Sequence, residues 1–129
     1  MNREIAPATI APPAANYAHA VVVEQATNWL HTSGIVPIAP NGLVPAAIEE
    51  QADVVWGNIL ALLDEADMSA SDIVSVTTYV VVEHIASLAS VMAARDRHLH
   101  GHRVASTLVT VPALARPEWK MEIAVVAAR

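Results

Sequence analysis

The chain has 129 residues, 54% of them hydrophobic and 16% charged, enough for one domain with a single core. Its formal net charge of −6 argues against a nucleic-acid partner, because phosphate binding needs a basic stripe and the seven Lys and Arg are scattered. With no cysteine, disulfides, thiolate metal sites and thiol nucleophiles are excluded.

Much of the hydrophobic surplus is Ala and Val, and Phe is absent, so the core must be built from small branched and aliphatic groups. A mean hydropathy of +0.41 leaves apolar surface for a subunit interface. "AHAVVVEQ" is ended by Glu24 and is far short of the roughly 20 apolar residues of a membrane span. The first thirty residues lack a charged n-region followed by an apolar run and a cleavage site. The expectation is one soluble, cytoplasmic domain over residues 1–129, with no membrane partner.

Residues 1–16, "MNREIAPATIAPPAAN", read as an extended arm, since Pro and Ala dominate. "YAHAVVVEQ" (17–25) and "NWLHTSGIVPI" (28–38) are β-rich and read as a hairpin across "AT". "APNGL" supplies an Asn-Gly turn, and Pro45 suits the first turn of a helix. Over 46–67 the spacing of Ile48, Ala52, Val55, Ile59 and Leu62 predicts a helix, with Glu49 and Glu50 at its positive end. "IVSVTTYVVV" (73–82) predicts a buried strand. A second helix over about 84–99 carries Ile85, Leu88 and Met92 on one side, and "ASTLVTV" (105–111) and "WKMEIAVVA" (119–127) are closing strands. The order β-β-α-β-α-β-β favours an α+β layer with two helices covering one face of a mixed sheet.

Several residues invite a functional reading, each against a plainer one. His98, His100 and His102 could ligate a metal only in an extended segment, where alternate side chains share a side; Gly101 and the adjacent helix end favour a solvated loop and no metal. Glu122 stands in the apolar run "KMEIAVVA", where a carboxylate is costly unless paired or facing a polar cavity. It is either an edge-strand side chain in water or, in a cleft, suited to general acid–base work. Tyr17 and His19, two apart, share a face; core or interface packing is the alternative to a ligand site. Gly34 in "TSG" marks a bulge or a close backbone approach within a strand. Ser106 and Thr107 offer hydroxyls, yet no Ser-His-Asp spacing accompanies them, and capping is their usual work.

Taken in order, "APPAANYAHAV", "LHTSGIVPIAPNG", "EEQADVVWGNILALLDEADMSASDIV", "VTTYV", "ASTLVTVPAL" and "MEIAVVA" resemble the Rid family, the reactive intermediate deaminases also called YjgF-like, from about residue 6 to 128. The resemblance implies a chorismate-mutase-like α+β fold, a homotrimer whose sheets pack into a barrel, and small-molecule clefts between subunits. It further implies hydrolysis of reactive enamines and imines to carbonyl compounds and ammonia, without a cofactor. Tyr17, Gly34 and Glu122 fall on the family's tyrosine, its "SG" glycine and the glutamate that positions water. Ser106 stands where the family has its carboxylate-holding arginine, and Leu108 where it has a cysteine. Ile35 replaces a polar residue after "SG", and Ala89 an asparagine of the second helix. Arg103, three residues upstream, reaches the arginine's register only through an insertion.

A serine cannot replace the charge-assisted bidentate pair of a guanidinium with a carboxylate, so the implied substrate is less charged or differently shaped. Catalysis then falls to Glu122, while Tyr17, His19, Gly34, Ser106, Thr107 and Leu108 line the cleft. The alternative is a non-enzymatic ligand-binding homotrimer of the same fold. Ribonuclease action is disfavoured by the −6 charge, and zinc on the three histidines is weaker still.

Overall fold

A computed structural model describes residues 1–129. Six strands and two helices follow in chain order: β1 (Asn2–Ile5), β2 (Ala20–Val23), β3 (Trp29–His31), α1 (Ile48–Glu65), β4 (Ile73–Val81), α2 (Leu88–His98), β5 (Ala105–Val111) and β6 (Met121–Ala128). A four-stranded mixed sheet in the order β3-β6-β4-β5 carries the helices on one face, and β1 and β2 form a separate antiparallel pair. Only β4 and β5 run parallel, joined through α2, as the crossover between parallel strands requires. No helix is long and apolar enough to cross a membrane.

The core lies between the sheet and α1. Ile48, Ala52, Val55, Trp56, Ile59 and Leu63 recur at helical spacing and are buried against Val76 and Val80 of β4 and Met121, Ile123 and Val125 of β6. Each Val, Leu, Ile or Met among them contributes about 1.5–3 kcal/mol on burial. One polar group shares the stripe. Gln51 is fully buried, donates from Nε2 to the carbonyls of Pro45 and Glu118, both at 2.8 Å, and accepts from the Lys120 amide at 2.9 Å. It thereby ties the start of β6 to α1, with every bond made inside the core.

Both helices end in the same device. Past α1, Asp67 adopts φ +54° while the Met68 and Asp67 amides bond back to Leu63 and Asp64, and buried Met68 covers the turn. Past α2, His100 adopts φ +52° with Gly101 and His100 bonding back to Asp96 and Arg97. These are Schellman turns with a non-glycine residue in the left-handed position. The segment "HLHGH" is therefore the stop of α2 and the loop into β5.

Several expectations are corrected. β2 and β3 do not form a hairpin: β2 pairs with β1, while β3 pairs with β6. "AT" has no hairpin-turn chemistry; Gln25 turns the chain at φ +59°, and Arg129 bonds Thr27 and Asn28 through its backbone. The expected extended arm instead begins as a strand, β1, whose signal the following prolines obscure, and then turns at residues 8–10 and folds back so that Ala11 meets His19. Pro45 lies upstream of the helix, whose cap is Ala47. Leu63, not Leu62, completes the buried stripe, and Leu62 is 42% exposed. A 3₁₀ stretch over 82–87 precedes α2, leaving Ile85 exposed while Val91 and Ala94 are buried. β6 is an interior strand, so Glu122 is not an edge-strand side chain.

Candidate functional site

Alternation along β6 sends Met121, Ile123 and Val125 into the core and Glu122, Ala124 and Val126 to the face without helices. On β4 the same face carries Ser75, Thr77 and Tyr79, with Tyr79 directly opposite Glu122 in the antiparallel register. Glu122 is partly buried there, and no ion pair of the chain includes it.

What holds this carboxylate is backbone. The ladder between β6 and the chain after β3 is irregular: Thr32 pairs with Val125 through its amide (3.1 Å) and its Oγ1 (3.0 Å), and Ile35 pairs with Ile123 (2.7 and 3.1 Å). Three steps on one strand match two on the other, so Ser33 and Gly34 bulge. A β-carbon on Gly34 would lie 2.5 Å from Glu122 Oε1 and 2.9 Å from its Cδ. The expected close approach at "TSG" is thus the seat of Glu122. Beside it, a groove of about 410 Å³ runs along Gly34, Ile35, Val36 and Ile38 to Asn58, Ala61 and Leu62 of α1. Asn58 fixes its wall by donating to the Ile38 carbonyl at 2.9 Å.

The β5 residues divide between the two faces. Ser106 pairs with Val76 and Leu108 with Thr78, which places both on the helix side, where Leu108 packs against the core. Thr107 pairs with Thr77 on the open face and is exposed. Within one chain, then, Glu122, Gly34 and Thr107 share one side of the sheet, and Ser106 and Leu108 the other.

Tyr17 and His19 lie on the segment that runs along the free edge of β5, where Ala18 bridges to Ala105 and its amide bonds the Val104 carbonyl at 2.8 Å. Their rings meet edge to face with centroids 6.0 Å apart, and His19 Nε2 is 2.7 Å from the Ala11 carbonyl. Arg103 does not reach Ser106; it bonds the Tyr17 carbonyl at 2.6 Å and pairs with Glu4 at 3.0 Å.

The three loop histidines diverge. His98 stacks on Trp56 with centroids 6.2 Å apart and bonds Asp53 at 3.0 Å; His102 is 3.0 Å from the Ile73 carbonyl; His100 forms the helix stop. No group of three or more His, Cys, Asp or Glu could hold a metal ion. The carboxyl of Asp53 is lowered from its ordinary value, chiefly by the His98 hydrogen bond; burial opposes this, and Arg97 at 2.7 Å adds to the lowering.

The sequence reading overlooked Arg95. This α2 side chain is 3% exposed, and its Nη1 donates to Ser106 Oγ at 3.1 Å. Its signal was available: Arg95 follows buried Val91 by four residues, so a cation stands in the helix's inward stripe, which demands partners.

Comparison with known proteins agrees with this architecture. The family model described as Endoribonuclease L-PSP matches residues 8–129. Protein MMF1, mitochondrial, of Saccharomyces cerevisiae is 34% identical over 108 residues, covering 81% of this chain and 70% of that protein. The crystal structure of YyfB from Yersinia pestis, a protein of unknown function of the conserved Rid family, superposes with a TM-score of 0.89 at 30% identity, covering 99% of this chain and 98% of that one. E. coli TdcF with bound serine superposes at 0.73 with 26% identity, covering 96% and 93%. The chain belongs to the Endoribonuclease L-PSP family, that of the Rid and YjgF proteins.

Proposed function

We propose that this chain hydrolyses small reactive imines or enamines in a cleft completed by a second copy of itself. Glu122 carries the reading: a partly buried carboxylate, free of ion pairs, seated over Gly34 beside a groove of about 410 Å³. There it takes a proton from water as the water oxygen adds to the carbon of the C=N bond. The proton held by Glu122 and that of the new hydroxyl pass to nitrogen, which leaves as ammonia as the C–N bond breaks and the carbonyl forms; an enamine enters after proton transfer from its nitrogen to its β-carbon gives the imine. The step calls for no cofactor. A −6 chain without a basic stripe is a poor match for nucleic acid, so the substrate is a small molecule.

The composition of the open face supports a cleft completed by assembly. The open sheet face is mostly Ser, Thr, Ala and Val, and Val109 and Trp29 remain exposed, as suits a surface covered by another copy. Glu122 and Ser106 occupy opposite faces, so a site using both draws them from two chains. A homotrimer, as the family resemblance implies, accommodates this, with Tyr17, His19, Ser106, Thr107 and Leu108 as cleft walls. Subunit mixing tests it. Glu122→Gln and the cleft-filling Ser106→Trp should each be inactive alone, and mixed oligomers should recover part of the activity. No recovery after verified exchange contradicts a shared cleft.

A second reading has one specific support: TdcF, the relative at 26% identity, carries bound serine. On that reading the trimer binds a small metabolite without turning it over. A ligand retained through purification, with no ammonia released from any imine supplied, would select it.

A further inference from the structure

Arg95 is the most heavily engaged side chain of the molecule. Its Nε and Nη2 pair with Asp96 Oδ1 at 3.0 and 2.9 Å, Nη2 also donates to the Asn16 carbonyl at 3.0 Å, and Nη1 donates to Ser106 Oγ at 3.1 Å. A buried guanidinium needs such partners, and Asp96 neutralises it. Ser106 differs from the others, because a hydroxyl that accepts from a guanidinium turns its own proton elsewhere. Nothing in the chain accepts that proton: Ser106 makes no other side-chain hydrogen bond, and it remains partly exposed.

We infer that Arg95 is a positioning residue that makes Ser106 a polarised hydroxyl donor for a neutral oxygen, a carbonyl or carboxamide, and that Asp96 sets the site against carboxylates. This rests on the reading above that β5 lines a small-molecule cleft. The guanidinium's directions toward Asp96, Asn16 and Ser106 are spent, and the pair it forms with Asp96 has no net charge. A carboxylate at Ser106 would be desolvated for one hydroxyl donor in return, because the guanidinium behind Ser106 is 3% exposed and its charge is already matched by Asp96. A carboxamide or keto oxygen loses far less water and is well matched to one hydroxyl.

The test is calorimetric titration of the assembled protein with pyruvamide and with pyruvate, which share size and differ in charge. Wild type should bind pyruvamide more tightly. Ser106→Ala should weaken pyruvamide about tenfold and leave pyruvate nearly unchanged, the worth of one polarised hydrogen bond. Asp96→Asn keeps the shape but leaves Arg95 uncompensated, and should strengthen pyruvate about five- to tenfold without moving pyruvamide. Arg95→Lys should retain more of the pyruvamide preference than Arg95→Met; if the methionine variant does not fold, the Ser106 and Asp96 variants carry the test. A purely structural Arg95 would change both probes together in every variant, and that result overturns the inference, as does a wild type that prefers pyruvate or binds neither. The catalytic reading fails separately, through ammonia release that is indifferent to Glu122.

Discussion

The carboxylate of Glu122 occupies the space that a side chain on residue 34 would need, with Oε1 2.5 Å from where a Gly34 β-carbon would stand. Two residues 88 positions apart are thereby made one unit, and the bulge between Thr32 and Ile35 is what brings them together.

Gly34→Ala should consequently separate stability from function. The atoms in conflict are the far end of a flexible glutamate, and Gly34 is not at positive φ, so unfolding free energy should fall by less than about 1 kcal/mol. The carboxylate must swing away, and turnover should drop by at least about tenfold. Urea unfolding and ammonia release on the same preparation check both halves.

Gln51→Leu should destabilise the chain by about 3 kcal/mol. The leucine fits an apolar stripe, but the Pro45 and Glu118 carbonyls and the Lys120 amide lose the side chain that satisfied them. Chemical denaturation measures this. An unchanged midpoint would mean that the three groups find water.

Asp53 joins α1 to the end of α2 through Arg97 and His98. Its carboxyl is depressed in the folded state, so its contribution is fully present above the ordinary carboxylate value of 3.8 and is lost as pH falls through the lower folded value. Because its side chain is 52% exposed, the effect should be small, about 0.5 kcal/mol. Asp53→Asn should lower stability at neutral pH by that amount and flatten the acid limb of a stability–pH curve, where wild type and variant converge.

His100→Gly should stabilise. His100 is exposed, at φ +52°, and the left-handed conformation costs an ordinary residue about 1 kcal/mol that glycine avoids. A rise in the thermal midpoint with unchanged ligand binding is expected; a fall would show that the imidazole has structural work beyond the turn.

α1, the central strand and the last two strands are legible because their patterning is strong: α1 lies within two residues of its expected bounds at each end, and β5 matches residue for residue, whereas α2 has a weak stripe and a 3₁₀ lead-in that moves its start to Leu88. The pairing of β2 and β3 is not legible. Their β-rich composition says nothing about partners, and the true partner of β2 lies in four residues before a proline-rich stretch. At the candidate site, "TSG" spoke for a close approach, and an acid in an apolar strand spoke for Glu122. Arg95 is not legible as a partner of Ser106, because Arg103 is the cation nearest it along the strand whereas the one beneath it arrives from a helix eleven residues earlier in the chain. The division of Ser106 and Glu122 between opposite faces depends on the β4 register, which spacing within either strand alone does not reveal.

In the proposed reaction everything turns on Glu122 activating water. The most direct test of that role is the rate of ammonia release from imines generated in situ, with and without carboxylates, by wild type and Glu122→Gln. Wild type should accelerate release and the variant should lose about 100-fold or more, with oligomeric size and thermal midpoint unchanged. Full activity in the Glu122→Gln protein would contradict that role.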